Sequence, residues 1–157
     1  VGAAVGMGAE FTSQCDIRLA SPAARFAWNF AHRGLVPDTG AGSWLLPRLI
    51  GPARAMRLLY TGEFLGAEEA LEIGYVERVV EAEQLLPEAH ALAAAICKGS
   101  PFSHARIKTL VYEGLGSEVG PHMQRHTRAL AECFKSSDHQ EGVASFLERR
   151  EANFTGS

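Results

Sequence analysis

Two short glycine-containing segments hold the residues best suited to chemistry. In the first, Gly6-Met7-Gly8-Ala9-Glu10, a glycine turn leads from an apolar strand into a predicted helix. The first N–H groups of a helix lack partners within it, so they can bind an oxyanion or a phosphate. Glycine also lets a ligand approach the backbone closely. The segment predicts either an anion-binding turn or a purely structural one, in which Glu10 complements the helix dipole.

The second segment covers residues 34–40 and places Asp38 between a proline and a threonine. A carboxylate in such a turn commonly caps the helix that follows, and Asp38 or Thr39 could do so here. If Asp38 instead lies near the aromatic residues Trp28, Phe30 and Trp44, it is partly desolvated and becomes a stronger base. The residues alone leave both interpretations open.

The histidines and cysteines do not predict a metal site. His122 and His126 have the i, i+4 spacing of helix-borne ligands, but no third ligand completes a site, so a solvated helix face is the simpler interpretation. The three cysteines are scattered and form no CxxC pair. This usage is typical of a reduced, cytoplasmic protein.

The composition is that of a globular chain. Of its 157 residues, 46% are hydrophobic and 21% are charged, and the formal net charge is −3. That balance gives no electrostatic footprint for nucleic acid, and no apolar run approaches the ~20 residues of a membrane span. We therefore expect neither nucleic acid nor a membrane as a partner.

The elements that must position these segments follow from hydrophobic periodicity and from glycine and proline signals. A strand is predicted over 1–5, a short helix over 9–14, and further strands over 15–20, 25–30 and 75–80. Helices are predicted after the 37–40 turn and over 52–62, 67–73, 86–98, 101–113 and 117–134, and a final helix follows a possible capping box formed by Asp138 and Glu141.

Several segments in a fixed order resemble the enoyl-CoA hydratase/isomerase family, also called the crotonase family. They are GAAVGMGAE, CDIRLAS, RFAWNFAHRGLVPDTGAGSWLLPRLIG, ARAMRLLYTGEFLGAEEALEIGYVERVV and EGVASFLERREANFTG. The resemblance covers nearly the whole chain and implies the C-terminal three-fifths of such a protein. It implies an α/β fold in which a ββα spiral core, truncated at its N-terminus (residues 1–98), precedes a C-terminal helical trimerisation region (residues 99–157).

The resemblance also implies acyl-CoA thioester substrates and an enolate held by two backbone N–H donors. One is the N–H of Met7, flanked by Gly6 and Gly8 in the substrate pocket. The other is expected before residue 1, so this chain alone is expected to be nearly inactive, since the loss of one such donor costs roughly 2.7–4 kcal/mol. No cofactor is implied beyond the coenzyme A of the substrate, and no metal.

Carboxylates distinguish the members of the family. Glu10 matches the first of two hydratase glutamates, whereas Phe30 stands where the second is expected. Asp38 matches the aspartate that some isomerases of the family use. The resemblance thus implies that Asp38 shuttles a proton during double-bond migration, that Glu10 assists or binds water, and that aromatic residues wall the pocket. These residues are Trp28, Phe30 and Trp44.

Two other functions stay open from the sequence. One is a hydratase that uses Glu10, and the other is a non-catalytic member that binds acyl-CoA or only assembles. Arg149 matches a basic family position that contacts coenzyme A from a neighbouring subunit, while Leu130 replaces a hydratase phenylalanine. A homotrimer or a dimer of trimers is implied. We expect the Met7 amide and Asp38 to face one cavity large enough for a thioester.

Overall fold

The computed structural model describes residues 1–157, which divide into two compact units, Val1–Ala89 and His90–Ser157. The predicted division after residue 98 separates a spiral core from a trimerisation region and stays a prediction. Helix α6 (Leu85–Ile96) begins in the first unit and ends in the second.

The first unit contains two small sheets made of very short strands. β1 (Ala3–Val5) pairs in parallel with β3 (Arg25–Ala27), which pairs antiparallel with β4 (Leu65–Gly66), giving the order β1-β3-β4. β2 (Leu19–Ala20) pairs in parallel with β5 (Arg78–Val79). Parallel neighbours need crossover connections, which here contain helices.

Helices make up most of the remaining chain. Those of the first unit, besides α6, are α1 (Met7–Ser13), α2 (Ala41–Trp44), α3 (Leu46–Ile50), α4 (Pro52–Thr61) and α5 (Ala67–Glu72), with 3₁₀ turns at Ala31–Arg33 and Ala82–Gln84. Those of the second unit are α7 (Pro101–Gly114), α8 (Val119–Lys135) and α9 (Ser137–Glu148). None of the nine α-helices combines the length and the apolar character needed to cross a membrane.

Helix boundaries marked by proline, glycine or serine lie where the sequence predicts them. α4 starts at Pro52 and ends before Gly62, which has a φ of 59°. α5 is followed by Gly74, with a φ of 76°. Ser100 caps α7, because its hydroxyl accepts the Ser103 N–H at 3.1 Å. Proline, glycine and serine favour helix ends through their own local chemistry, so the sequence alone predicts these boundaries.

The predicted strands over 15–20, 25–30 and 75–80 are too long. Only two or three residues of each pair with a neighbour, and β4 was not predicted at all. The apolar alternation arises from burial outside the strands: Trp28 and Phe30 follow β3 in a turn, and Tyr75 precedes β5, yet all three are buried. Their contacts with the core, rather than ladder pairing, explain the pattern.

Two helix predictions are also wrong. The helix predicted after the 37–40 turn consists of two short helices, α2 and α3, with Trp44 45% exposed at the end of the first and Ile50 buried at the end of the second. Ser136, not Asp138, caps α9, and its hydroxyl accepts the His139 N–H at 3.0 Å. An N-cap residue needs a non-helical backbone, and Ser136 has an extended one, whereas Asp138 lies inside the helix.

The core of the first unit is built around two aromatic residues. Trp28 and Tyr75 are fully buried and meet edge to face, with ring centroids 5.4 Å apart. The Tyr75 hydroxyl shares hydrogen bonds with Thr12 at 2.7 Å and Ser13 at 3.1 Å, which ties the core to α1. Burial raises the pKa of Tyr75 despite these bonds. This packing fixes the position of α1, the helix that begins the candidate site.

In the second unit, two carboxylates of α9 hold the end of the chain. Asp138 is buried and accepts the backbone N–H groups of Thr155 and Gly156 at 2.8 and 3.0 Å. Glu141 pairs with Arg150 through both oxygens and accepts the Asn153 N–H at 2.7 Å. The Arg150 guanidinium is the largest cause that lowers the pKa of Glu141, to about 2.

The lowered pKa of Glu141 gives an expected pH dependence. The pKa of Glu141 is ordinarily 4.5 and is about 2 in the folded chain. The ionised side chain therefore stabilises the fold fully above pH 4.5, and this stabilisation is lost as the pH falls through 2. We expect Glu141→Gln to flatten the acid limb of the stability curve between those pH values. Urea denaturation at several pH values measures this, with Glu83→Gln, which alters an exposed acid of the other unit, as the control. An unchanged acid limb contradicts the expectation.

Candidate functional site

The candidate site begins where β1 turns into α1. Gly6 occupies the turn with a φ of 55°, a conformation that favours glycine, and its N–H donates to the Ala27 carbonyl at 2.9 Å. α1 starts at the next residue, Met7. The predicted strand–glycine–helix arrangement is therefore present, with β3 bonded directly to the turn.

The Met7 N–H is available at the start of α1. As the first helical residue, Met7 has no intrahelical acceptor for its N–H, and it donates to no other backbone carbonyl. The residue is 51% exposed. The backbone N–H at this position is therefore not engaged by the fold and is a candidate donor to an oxyanion. Gly8 lies one residue further along α1, beside Ala4 of β1.

Glu10 lies in the interior, although it is an acid. Its side chain is fully buried, and Oε2 accepts the Thr39 hydroxyl at 2.8 Å. Oε1 is also buried and has no hydrogen-bond partner. No lysine or arginine pairs with this carboxylate in the structure. Glu10 thus relies on one hydroxyl for its only side-chain hydrogen bond.

The bend that carries Asp38 is folded around the Glu10 carboxylate. Thr39 donates to it, and a Cβ added at Gly42 would overlap Glu10 Oε1 and lie 3.1 Å from Pro37 Cγ. Asp38, between Pro37 and Thr39, is exposed and forms no hydrogen bond or ion pair. The bend therefore brings the two acids of the site into one neighbourhood and leaves one buried and the other open.

The capping interpretation of Asp38 is wrong. α2 begins after Gly40, which has a φ of 77°, and no side chain forms its cap. The nearest approach is the Thr39 hydroxyl, which accepts the Ala41 N–H at 3.4 Å. The Asp38 carboxylate is therefore not engaged in holding the bend.

The three predicted aromatic wall residues have different surroundings. Phe30 is buried beside Gly6, where a Cβ would lie 3.9 Å from the ring. Trp44 is 45% exposed and carries the Arg48 guanidinium 4.3 Å above its ring centroid. Trp28 is 0% exposed and packs on Tyr75, so it belongs to the core rather than to a wall that a ligand can touch. The prediction for Trp28 is corrected by this burial.

The second unit holds the predicted coenzyme A residue. Arg149 follows α9 with a φ of 54°, the one non-glycine residue with a positive φ. Leu130 of α8 is 46% exposed. The binding role of Arg149 stays a prediction. His122 and His126 belong to no group of three metal-binding side chains.

Sequence reasoning missed three residues that shape the site: Gln14, Thr39 and Gly42. The Gln14 amide donates to the Thr39 hydroxyl at 3.3 Å and approaches the Glu10 carbonyl at 3.5 Å. Thr39 was considered only as a cap. Ala41 and Gly42 are two small residues in succession at the start of α2. Such a pair leaves room for another segment to approach the helix closely, and is the signal that could have identified Gly42.

Gly42 gives a direct test of the close approach to Glu10. We expect Gly42→Ala to destabilise the chain by about 1–3 kcal/mol, because the added methyl overpacks a buried carboxylate. Urea unfolding measures this, with Gly66→Ala as the control, since a Cβ at Gly66 meets nothing within 4 Å. Equal stability of the two variants contradicts the described packing.

Comparison with known proteins gives consistent matches along the whole chain. The family model described as Enoyl-CoA hydratase/isomerase matches residues 1–157. A crotonyl-CoA hydratase of Syntrophomonas wolfei is 38% identical over 98% of this chain and 58% of its own length. A 1,2-epoxyphenylacetyl-CoA isomerase of Escherichia coli K12 is also 38% identical, over 99% of this chain and 59% of its own length.

Solved structures agree with the sequence matches. The crystal structure of an enoyl-CoA hydratase from Bacillus anthracis superposes with a TM-score of 0.94 at 32% identity, covering 99% of this chain and 60% of that one. The chain thus spans about 60% of the length of the proteins it matches.

Proposed function

Because the chain belongs to the enoyl-CoA hydratase/isomerase family, we propose that it acts on acyl-CoA thioesters and shifts a double bond within an enoyl group. The proposed reacting groups are the Met7 N–H and the Asp38 carboxylate, with Glu10 in support. The reaction needs no cofactor or metal besides the coenzyme A that the substrate itself carries.

The first proposed step is removal of a proton next to the thioester. The thioester oxygen accepts the Met7 N–H, which stabilises the negative charge that develops on that oxygen. The Asp38 carboxylate takes the proton from the carbon between the thioester and the double bond. The electron pair of the broken C–H bond moves into a dienolate whose charge rests on the oxygen.

The second proposed step returns the same proton elsewhere. Protonated Asp38 gives it to the far carbon of the former double bond, and the electrons of the dienolate form a double bond adjacent to the thioester. The carboxylate is regenerated, and no water is consumed. One accessible carboxylate is sufficient for both transfers.

The observation that carries this proposal is the contrast between the two acids. Asp38 is exposed and unbonded, whereas Glu10 is fully buried with one oxygen on Thr39. A proton shuttle must touch its substrate, and the exposure of Asp38 supports that role. The position at which the resemblance expects the second hydratase glutamate holds buried Phe30, which can neither activate nor hydrogen-bond a water.

Water addition is the second candidate function. The crotonyl-CoA hydratase relative and the 1,2-epoxyphenylacetyl-CoA isomerase relative are both 38% identical to this chain, so the relatives support hydration as much as they support an isomerisation. In this alternative, Glu10 holds the attacking water through its unpartnered Oε1. The burial of that oxygen in the structure is the reason we rank hydration second.

Product analysis distinguishes the candidate functions. The chain is expressed with any upstream sequence that its gene encodes, since it spans about 60% of its relatives' length, and is given 3-enoyl-CoA and 2-enoyl-CoA separately. Double-bond migration interconverts the two without change of mass, whereas hydration of 2-enoyl-CoA adds one water. Binding of both thioesters with no product supports a non-catalytic member and contradicts the proposal.

A homotrimer, or a dimer of trimers, is the proposed assembly. It is supported by large apolar side chains that the second unit exposes on α7, α8 and α9, among them Ile107, Val119, Phe134 and Phe146. Contiguous exposed apolar patches mark interfaces, and these side chains supply apolar surface that such an assembly would bury. Sedimentation equilibrium measures the mass, and a monomer contradicts the proposal.

A further inference from the structure

We propose that Thr39 is a positioning residue: its hydroxyl anchors the Asp38 bend to the buried Glu10 carboxylate and so holds Asp38 where a proton can be transferred. This inference rests on the proposed function of Asp38. It gives Glu10 a role that its burial allows, since an acid that is 0% exposed can fix a neighbouring backbone without touching substrate.

The hydrogen bonds at Thr39 direct its proton to Glu10. A hydroxyl has one proton to donate and two acceptor sites. The Gln14 amide donates to Thr39 Oγ1 at 3.3 Å, and the Ala41 N–H does so at 3.4 Å. With both acceptor sites used, the single proton is left for Glu10 Oε2 at 2.8 Å.

The Glu10 carboxylate has no other side-chain partner and no free space beside it. Glu10 Oε1 has no partner, and Gly42 and Pro37 close the space beside it. The Thr39 hydroxyl donates to Oε2 at 2.8 Å, which is a normal length for an O–H···O hydrogen bond. Without the Thr39 hydroxyl, the buried carboxylate would keep no side-chain hydrogen bond, and the bend would have to move or admit water.

A movement of the bend would reach Asp38 directly. Asp38 and Thr39 are consecutive residues, so their Cα atoms stay about 3.8 Å apart. The Asp38 side chain has no hydrogen bond of its own to fix it. Its place is therefore set by the backbone of the bend, and a displacement of about 1 Å at a reacting group can cost roughly 100-fold in rate.

The test compares Thr39→Val, which keeps the branched shape but removes the hydroxyl, with Thr39→Ser, which keeps the hydroxyl. Ser43→Ala is the matched control: Ser43 donates to the Gly40 carbonyl of the same bend and does not touch Glu10. All are measured with the chain plus any upstream sequence that its gene encodes, on 3-enoyl-CoA.

We expect Thr39→Val to lower kcat at least tenfold while KM changes less than twofold, because Thr39 positions Asp38 and is not proposed to bind the thioester. Thr39→Ser is expected to recover most of kcat, and Ser43→Ala to leave it unchanged. Amide hydrogen exchange at residues 38–41 is expected to accelerate in Thr39→Val only. An unchanged kcat in Thr39→Val, or a serine variant as slow as the valine variant, overturns the proposal.

Two further measurements keep the outcome decisive. If Thr39→Val does not fold, Thr39→Ala takes its place, because it also removes the hydroxyl and leaves a smaller side chain at this exposed position; an unchanged kcat and exchange rate there overturn the proposal. If Asp38→Asn turns out to be fully active, the proposed function fails by itself. The anchoring by Thr39 is then still decided by hydrogen exchange at the bend.

Discussion

Asp38→Asn is expected to lower the rate of double-bond migration by about 10²–10⁴-fold, the usual contribution of a general acid–base residue. The substitution preserves the shape of the side chain and replaces the carboxylate by a neutral amide that cannot accept and return a proton. Asp38 is exposed and forms no hydrogen bond or ion pair in the structure. Stability is therefore expected to stay within about 0.5 kcal/mol of the parent, as for other surface substitutions.

The interconversion of 3-enoyl-CoA and 2-enoyl-CoA, followed by chromatography, measures this loss. Glu10→Gln is the informative companion, since it removes the buried acid, keeps a carbonyl oxygen that can accept the Thr39 hydroxyl, and does not alter the Asp38 side chain. If Asp38 is the shuttle, Asp38→Asn abolishes migration more completely than Glu10→Gln does. Full activity of Asp38→Asn, with activity lost in Glu10→Gln, would transfer the chemistry to the buried glutamate and favour hydration.

Met7→Pro is expected to lower kcat by about 10²–10³-fold, because it deletes the proposed N–H donor to the thioester oxygen. Proline suits the first position of a helix, where Met7 lies. Gly6 precedes it with a φ of 55° and a ψ of −120°, a conformation that clashes less with proline because glycine has no Cβ. The Met7 N–H makes no backbone hydrogen bond that the fold would lose.

Met7→Leu separates the donor from the side chain, since it keeps the N–H and changes only the exposed group. We expect Met7→Leu to stay within a few-fold of the parent in kcat and Met7→Pro to melt within a few degrees of it. Circular dichroism on heating gives the melting temperature, and the thioester assay gives kcat. A Met7→Pro variant with parental kcat would remove this amide from the mechanism.

The parts of the fold that the sequence predicts well are those set by local backbone chemistry. Five residues mark turns or helix ends that the structure contains. They are three glycines with a positive φ, one proline that begins a helix and one serine cap: Gly6, Gly62, Gly74, Pro52 and Ser100. Each of these residues limits or frees its own backbone, whatever lies elsewhere. The turn that offers the Met7 N–H belongs to this group.

The strands are harder to predict because the burial of a side chain does not require its backbone to pair in a sheet. Phe26, Trp28 and Phe30 recur at every second residue as in a strand, but Trp28 and Phe30 are buried beyond the end of the very short strand β3. The pattern reports which side chains face the core and does not report which backbone groups pair. The prediction that Trp28 walls the pocket rests on the resemblance, and its burial places it in the core instead.

The link between Thr39 and Glu10 could not be predicted from the sequence at all. The two residues are 29 positions apart, and their hydrogen bond depends on how α1 and the bend pack together. Asp38 was identified by residue type and by resemblance, whereas its unbonded state and the burial of Glu10 are properties of the folded chain. Tertiary packing, rather than local preference, decides which of two acids meets solvent.

The left-handed backbone of Arg149 has an evolutionary consequence. At the end of a helix this conformation is usually taken by glycine, and an arginine that adopts it costs folding roughly 1–2 kcal/mol. If stability of the fold were the only constraint, substitution of Arg149 by glycine would therefore be favoured. Among natural variants of this chain, persistence of arginine at this position would indicate selection for the charged side chain itself, and frequent glycine would indicate that selection has acted on the backbone only.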